Sequence, residues 1–524
     1  MLKALDDRAG QEWDFCIIGG GATGLGVAVD AASRGFSTLL LEQYDFAKGT
    51  SSRATKLVHG GVRYLQQGNI KLVMEALHER GILHRNAPHL VKDLSFIVPN
   101  YKWWEGPYYG LGLKVYDWMA GELGLGKSRW LSREETLEQA PTLDAEGLRG
   151  GVLYHDGQFD DARLAINLAQ TAAHHGAVLL NYCRVEGLLK KEGAAGGAGT
   201  APGGAGTGGA GTGVIRGVRV TDQAEGRSFE IAARVVINAT GVFTDSVLQM
   251  DDPDSESVIA PSQGVHLVLD KDFLPGQAAI LVPHTDDGRV LFAVPWHDKI
   301  IIGTTDTPVS EVTIEPRALP EEIDFILQQI GRYLRKVPTR EDIRSVFAGL
   351  RPLVKSSSKK TAELARDHLI LVADSGLITI TGGKWTTYRR MAEDTVNTAI
   401  QRAGLAEKPC VTASLPIHGS GDAEAVRALV VARPALGERL HVRLPYIRAE
   451  IVRAAREELC MTVEDALSRR TRSLLLDARA AAECAPLVAE LLAAELGRNQ
   501  DWQSRQVAEF RELAKGYLAD GEKL

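Results

Sequence analysis

The sequence predicts an α/β fold with an added helical C-terminal region. Three observations carry that expectation. A glycine-rich strand–helix–strand unit occupies residues 14–45, an alternating strand-rich stretch runs from about 258 to 375, and Ala, Leu, Arg and Glu recur at helical spacing over 447–496. At 524 residues the chain is long enough for two or three domains, and 44% hydrophobic with 24% charged residues is ordinary globular composition. The net charge of −7 is spread along the chain, which argues against a nucleic-acid-binding face. The five cysteines (Cys16, Cys183, Cys410, Cys460, Cys484) form no CxxC pair. Neither a metal site nor a disulfide scaffold is expected, and the usage fits a reducing compartment. The opening MLKALDDRAGQEWDF lacks the basic-then-apolar layout of a secretion signal, and no apolar run reaches the ~18 residues of a membrane span.

In chain order, Phe15–Ile18 reads as a buried strand, Ala22–Ser33 as a helix of small residues stopped at Gly35, and Ser37–Leu41 as a second strand ending at Glu42. Residues 160–180 read as helix then strand. Val185–Lys190 and Val214–Thr221 read as a hairpin interrupted by the low-complexity segment 193–213, which is too poor in apolar residues to pack and is expected to be a flexible surface loop. Val235–Asn238 is a strand closed by Ala239, Thr240 and Gly241. RVLFAVPW and KIIIGTTD, meeting at His297 and Asp298, read as a hairpin. Residues 377–400 read as strand, Gly-Gly turn, helix. Thr462 and Asp465 have capping-box spacing at a helix start in the C-terminal region.

Gly19-x-Gly21-x-x-Gly24 follows a strand and opens a helix, which is the context a dinucleotide fingerprint needs. The first glycine permits the turn. The second lets backbone approach a pyrophosphate at the positive end of the helix, and Glu42, roughly 20 residues on, is placed to accept from a ribose. Gly204-x-Gly206-x-x-Gly209 matches the same pattern without strand or helix and is discounted. The fingerprint is N-terminal, no second credible one follows, and the chain returns late with Asn238–Gly241 and with Gly382-Gly383 before a helix. These features favour FAD over NAD. Backbone N–H groups at Gly382 and Gly383 are suited to negative charge on a reduced flavin.

The segments DFCIIGGGATGLGVAVDAASRG, GTSSRATKLVHGGVRYL, VVINATG, IIGTTDT, AGLRPL, ITGGKWTTYRR and TVEDALSRRTR occur in that order. Together they resemble the FAD-dependent glycerol-3-phosphate dehydrogenases over roughly residues 12–515; the 193–213 insert is the departure. The resemblance implies a Rossmann-like FAD-binding domain (12–75, 150–258 and 365–400), an antiparallel-sheet substrate domain (76–149 and 259–364) and a C-terminal helical domain (401–524). It implies oxidation of sn-glycerol 3-phosphate to dihydroxyacetone phosphate, with electrons passed through FAD to membrane quinone. It also implies a cytoplasmic enzyme held peripherally on the inner face of the cell membrane, and is compatible with a homodimer. No cysteine lies in the flavin-facing motifs, so a non-covalent cofactor is expected.

A phosphate dianion wants cations, above all the arginine fork. The resemblance places Arg63, Arg351 and Lys384 around the substrate, with Tyr64 donating a hydrogen bond. The candidates for removing the alcohol proton are His59 and His266, with Lys384 or a water as alternatives. Arg351 and Lys384 count as catalytic because they touch the reacting molecule. The FAD contacts are expected from Gly19, Gly21, Gly24, Glu42, Thr50, Ser51, Ser52, Lys56, His59, Gly60, Ala239, Gly241, Gly382, Gly383 and Thr386. Gly60 and Gly61 are expected to be glycine so that backbone can approach the flavin.

Residues 101–121 carry seven aromatics, three of them tryptophan, with Lys102 and Lys114 among them. That composition suits a monotopic bilayer contact and equally an aromatic cluster buried in the protein. Two further functional readings stand beside the quinone-linked one: an oxidase passing electrons to oxygen with formation of hydrogen peroxide, and a flavin-binding sensor or scaffold without turnover.

Overall fold

A computed structural model describes residues 10–61, 69–192, 213–355 and 368–519. The chain divides into two compact units: Met1–Lys48, Leu168–Pro261 and Pro352–Leu415 form the first, and Gly49–Asn167, Ser262–Arg351 and Pro416–Leu524 the second.

The first unit is built on a sheet whose core strands run parallel. Trp13–Ile18 lies between Thr38–Leu41 and Ser228–Asn238, with Phe15 opposite Thr38 on one side and Val235 on the other. Val178–Leu180 extends one edge in parallel, and Ile378–Gly382 extends the other. His368–Val372 closes that edge antiparallel. The central strands are buried at nearly every position because both faces are covered, as parallel sheets require. The expected hairpin is present as Cys183–Glu192 against Gly213–Asp222, and the second of these continues antiparallel to Ser228–Asn238. Residues 193–212, most of the glycine-rich insert, lie outside the described residues. The fingerprint helix Ala22–Ser33 packs on Tyr388–Ala403. They meet at Gly26, where a Cβ would stand 2.9 Å from the Tyr388 ring.

The second unit is organised by a ten-stranded sheet in which Lys92–Asn100 and Ala279–Val282 pair in parallel, while the hairpins and the long Lys92–Asn100 pairing with Gly150–Gln158 run antiparallel. Leu291–Trp296 and Lys299–Gly303 form the hairpin expected around His297. The period-2 rule sorts their side chains. Ile300 and Ile302 join a core with Ile326 and Ile330 of helix Pro320–Gly331, while Ile301 faces the opposite way.

Ile301, with Val268, Trp296 and Phe347, shares its core with Leu467, Leu474, Ala481 and Val488 of the C-terminal helices. The C-terminal helices are present as expected, and from Pro416 onward they group with the second unit. A sheet that is apolar on both faces needs two covers, and the C-terminal helices are the second. Residues 49–75 and 150–167, expected with the nucleotide domain, also group with this unit where described. The capping box expected at Thr462 is present: its hydroxyl accepts from Asp465 N–H at 3.1 Å, and the Asp465 carboxylate accepts from Thr462 N–H at 3.0 Å.

Candidate active site

In the first unit the glycine pattern has a steric cause. A Cβ on Gly24 would lie 1.9 Å from the Gly19 carbonyl oxygen, and one on Gly19 would lie 2.7 Å from the Ala239 carbonyl oxygen. Gly19 also has φ +108. Strand, turn and helix can approach this closely only without side chains at these positions. Gly21 is the N-cap of Ala22–Ser33, and no side chain caps that helix. A helix start of this kind presents backbone N–H groups and a positive dipole end, which suits a pyrophosphate. Glu42 is half-buried at the end of the second strand. Its carboxylate accepts from Gly20 N–H at 2.7 Å and from Tyr44 N–H at 2.8 Å, which fixes its direction at the end of the strand.

The late returns lie in the same unit. Asn238 donates to the Thr244 carbonyl at 3.1 Å and accepts from the Thr240 hydroxyl at 2.7 Å, which shapes the turn through Ala239 and Gly241. Gly382 and Gly383 both have positive φ, +78 and +71. A Cβ at Gly383 would sit 2.4 Å from the Met391 sulfur. Lys384 follows, half-buried, as the N-cap of the short helix Trp385–Thr387, in which Thr386 is buried. The donor set and shape of this unit fit FAD.

In the second unit Arg351 is braced rather than loose. Its guanidinium donates to Asp306 at 3.0 Å, to the Thr304 hydroxyl at 3.1 Å, and to the Thr305 and Gln263 carbonyls at 2.9 and 3.3 Å. A Cβ at Gly264 would reach 2.4 Å from Nη2, so glycine there makes room for the fork. The side chain keeps about a quarter of its surface open, 26%.

His266 is buried. Its Nε2 lies 2.9 Å from the Thr55 hydroxyl, and its ring stacks on Phe347 with centroids 4.8 Å apart. Burial first, then the charges of Lys56 and Arg351, holds its pKa well below 6.5, so the imidazole is neutral. The unfolded chain binds a proton below pH ~6.5 where the folded one does not. Stability attributable to His266 is therefore complete above that pH and falls as pH drops below it, by up to about 1.4 kcal/mol per pH unit. Thermal unfolding between pH 7.5 and 5 should show a shallower acid-side loss in His266→Gln than in the wild type; equal slopes would remove His266 as the cause. His59 is half-buried, its ring 6.5 Å from that of Phe292.

Two of the expected cofactor contacts also have partners inside this unit. Lys56 is fully buried, and its ammonium donates to Asp161 at 2.8 Å and to the Ser52 carbonyl at 3.0 Å. Burial, aided by the Arg472 charge and opposed by Asp161, brings its pKa down to about 8. Its ammonium is thus spent inside the unit. Gly60 is glycine because a Cβ would lie 2.4 Å from both Leu77 and the Tyr116 hydroxyl, which accepts the Gly60 N–H at 2.8 Å. Packing on helices Ile70–Asn86 and Glu105–Ala120 explains that glycine without any ligand. Thr50–Ser52 form a short 3-10 turn, with the Thr50 hydroxyl on the Leu350 carbonyl at 2.6 Å and Ser52 buried. Arg63 and Tyr64 lie outside the described residues.

Sequence reasoning left unassigned the residues that hold these groups: Asp306 behind Arg351, Thr55 beside His266, and Asp161 with Arg472 around Lys56. Asp306, Thr55 and Arg472 stand within motifs that the resemblance quotes, so their neighbourhood was visible and their partners were not.

The aromatic segment is two-sided. In helix Glu105–Ala120, Tyr109, Leu113 and Tyr116 are buried, while Tyr108, Leu111, Val115 and Trp118 form an exposed stripe at three- and four-residue spacing. Trp118 is 82% exposed, and Trp103, just before the helix, is 77% exposed. Ile70 and Met74 of the neighbouring helix Ile70–Asn86 are exposed as well. Among the described residues no helix is long and apolar enough to cross a membrane.

A family model of FAD dependent oxidoreductases matches residues 14–389, and one of the C-terminal domain of alpha-glycerophosphate oxidase matches residues 378–503. A probable mitochondrial glycerol-3-phosphate dehydrogenase of Caenorhabditis elegans is 42% identical over 96% of this chain and 73% of its own length. The mitochondrial glycerol-3-phosphate dehydrogenase of Homo sapiens is 41% identical over 97% of this chain and 73% of its own length. The crystal structure of the glycerol-3-phosphate dehydrogenase from Bacillus halodurans complexed with FAD superposes with a TM-score of 0.75 at 29% identity, covering 100% of this chain and 98% of that one. The chain belongs to the FAD-dependent oxidoreductases and, within them, to the glycerol-3-phosphate dehydrogenases.

Proposed function

We propose that this protein oxidises sn-glycerol 3-phosphate to dihydroxyacetone phosphate and delivers the electrons to a membrane quinone. FAD, when bound, supplies the hydride acceptor. The observation that carries this reading is Arg351: a guanidinium braced by Asp306 yet partly open, in a member of this family, is built to meet an anion. Arg351, Lys384, Arg63 and Tyr64 hold the phosphate and orient the secondary alcohol. Of the two imidazoles, His59 takes the alcohol proton. His266 is the poorer base, since Nε2 is tied to Thr55 while Nδ1 is sealed from solvent and meets no hydrogen-bond partner among the described residues. It serves instead to orient the site through Thr55. Gly19, Gly21, Gly24, Glu42, Thr50, Ser51, Ser52, Ala239, Gly241, Gly382, Gly383 and Thr386 hold FAD without a covalent bond.

Anaerobic addition of glycerol 3-phosphate to the FAD-loaded protein should bleach the flavin spectrum, and a soluble quinone should restore it faster than oxygen does. No bleaching with glycerol 3-phosphate would overturn the substrate; faster recovery with oxygen, accompanied by peroxide, would favour an oxidase.

The exposed stripe of Trp103, Tyr108, Leu111, Val115 and Trp118 is the face by which the protein lies on a bilayer, where its quinone resides. Flotation with liposomes checks this. A double Trp103→Ser, Trp118→Ser variant should float several-fold less than wild type, and unchanged flotation would assign membrane contact elsewhere.

A further inference from the structure

Three buried charged side chains outside the substrate cluster converge on a few backbone groups. The Ser52 carbonyl accepts from Lys56 at 3.0 Å and from Arg472 at 2.7 Å. The Asp161 carboxylate accepts from Lys56 at 2.8 Å, from Arg472 at 2.9 Å and from Ala54 N–H at 2.9 Å. Arg472 is also tied to its own region by the Ser468 carbonyl at 2.6 Å, with Asp160 at 3.6 Å. Lys56 and Asp161 have fully buried side chains, that of Arg472 is 2% exposed, and both cations lie over the Trp296 ring. A buried ion cluster of this kind is no bargain for stability, because desolvation cancels much of the attraction. Its effect on geometry is distinct: it clamps the turn at Ser52 C=O and Ala54 N–H from a residue 420 positions away.

We propose that Arg472 is a positioning residue for cofactor binding, through which the C-terminal helices hold the Thr50–Ser52 turn in the conformation that meets FAD. The inference rests on the assignment of that turn to the cofactor. The guanidinium fork reaches Ser52, Asp161 and Ser468 at once, while a lysine ammonium on a single stem does not span all three. Arg453 provides the contrast. It is equally buried in the C-terminal helices and bound to Asp422, Glu457 and Glu458, and none of these partners lies in the 50–59 segment.

The test measures the FAD dissociation constant by flavin fluorescence, and thermal unfolding of the FAD-free proteins, for wild type, Arg472→Lys, Arg453→Lys and Ser51→Ala. Arg472→Lys should weaken FAD roughly tenfold, the scale of one charged hydrogen bond. Arg453→Lys should lower the unfolding temperature and leave the affinity of the folded protein unchanged. Equal weakening by both arginine variants would make the effect general destabilisation and overturn the proposal. Weakening by Ser51→Ala without weakening by Arg472→Lys would overturn it while keeping the turn as a cofactor contact. No change in either would overturn both. If Arg472→Lys does not fold, Asp161→Asn keeps the shape, removes the charge joining the clamp, and is read in the same way.

Discussion

Arg351→Ala is expected to lower kcat/KM for glycerol 3-phosphate by about 10³-fold, with FAD still bound. A thousandfold fall corresponds to roughly 4 kcal/mol, the scale of removing a cation together with its charge-assisted contact to a dianion. The substitution does more than delete a cation. Asp306, whose side chain is 6% exposed, loses its partner at 3.0 Å and keeps the more distant Arg289 at 3.9 Å, so part of its buried charge is left uncompensated. Arg351→Lys separates these contributions: it retains charge but cannot satisfy Asp306, Thr304 and Thr305 together, so it should fall between wild type and Arg351→Ala. Anaerobic reductive titration alongside steady-state rates with a soluble quinone measures both. If Arg351→Ala bleaches at wild-type concentrations of glycerol 3-phosphate, Arg351 is not a phosphate ligand.

The second large effect is structural. Gly24→Val is expected to abolish FAD binding and to cost about 3 kcal/mol or more, the upper range for forced overpacking. The new Cβ would stand 1.9 Å from the Gly19 carbonyl oxygen, and the obstacle is backbone, which cannot rotate away as a side chain would. Relief requires the helix to withdraw from the turn, which carries the backbone N–H groups of Gly21 and its successors away from a pyrophosphate. Gly112→Ala provides the contrast, because outside its chain neighbours and its own stretch of helix backbone no atom lies within 4 Å of the position a Cβ would take there. It should leave FAD binding unchanged and, in a helix interior, slightly favour folding. Copurified flavin content and thermal unfolding distinguish the two variants. Retention of flavin by Gly24→Val would mean that the turn tolerates the shift that relieves this contact.

How much was legible depends on the range of the forces involved. The fingerprint turn, the helix Ala22–Ser33 and the hairpin around His297 all stand where the sequence places them, since each follows from spacing and sterics within a few residues. The Thr462–Asp465 cap was readable for the same reason. Lys56 and Gly60 were harder. A basic, glycine-rich segment behind a nucleotide fingerprint suggests ligand contacts, but Lys56 is sealed against Asp161 and Gly60 is pressed against Leu77 and Tyr116. Neither partner can be inferred from neighbours in the chain. The aromatic helix shows the same division: its composition is plain in the sequence, but which tryptophans face outward depends on what covers the other side.

By itself the sequence determined the residue types available for chemistry, the glycine turn, the strand and helix periodicity, and the family to which the chain belongs. Only the tertiary structure decided that Arg351 is braced and partly open, that Lys56 is enclosed, and that the C-terminal helices complete the core of the second unit. The physical reason is that local conformation is governed by contacts a few residues apart. Burial and charge pairing are governed by whichever segments fold over a site, as Arg472 does over Ser52 from 420 residues away.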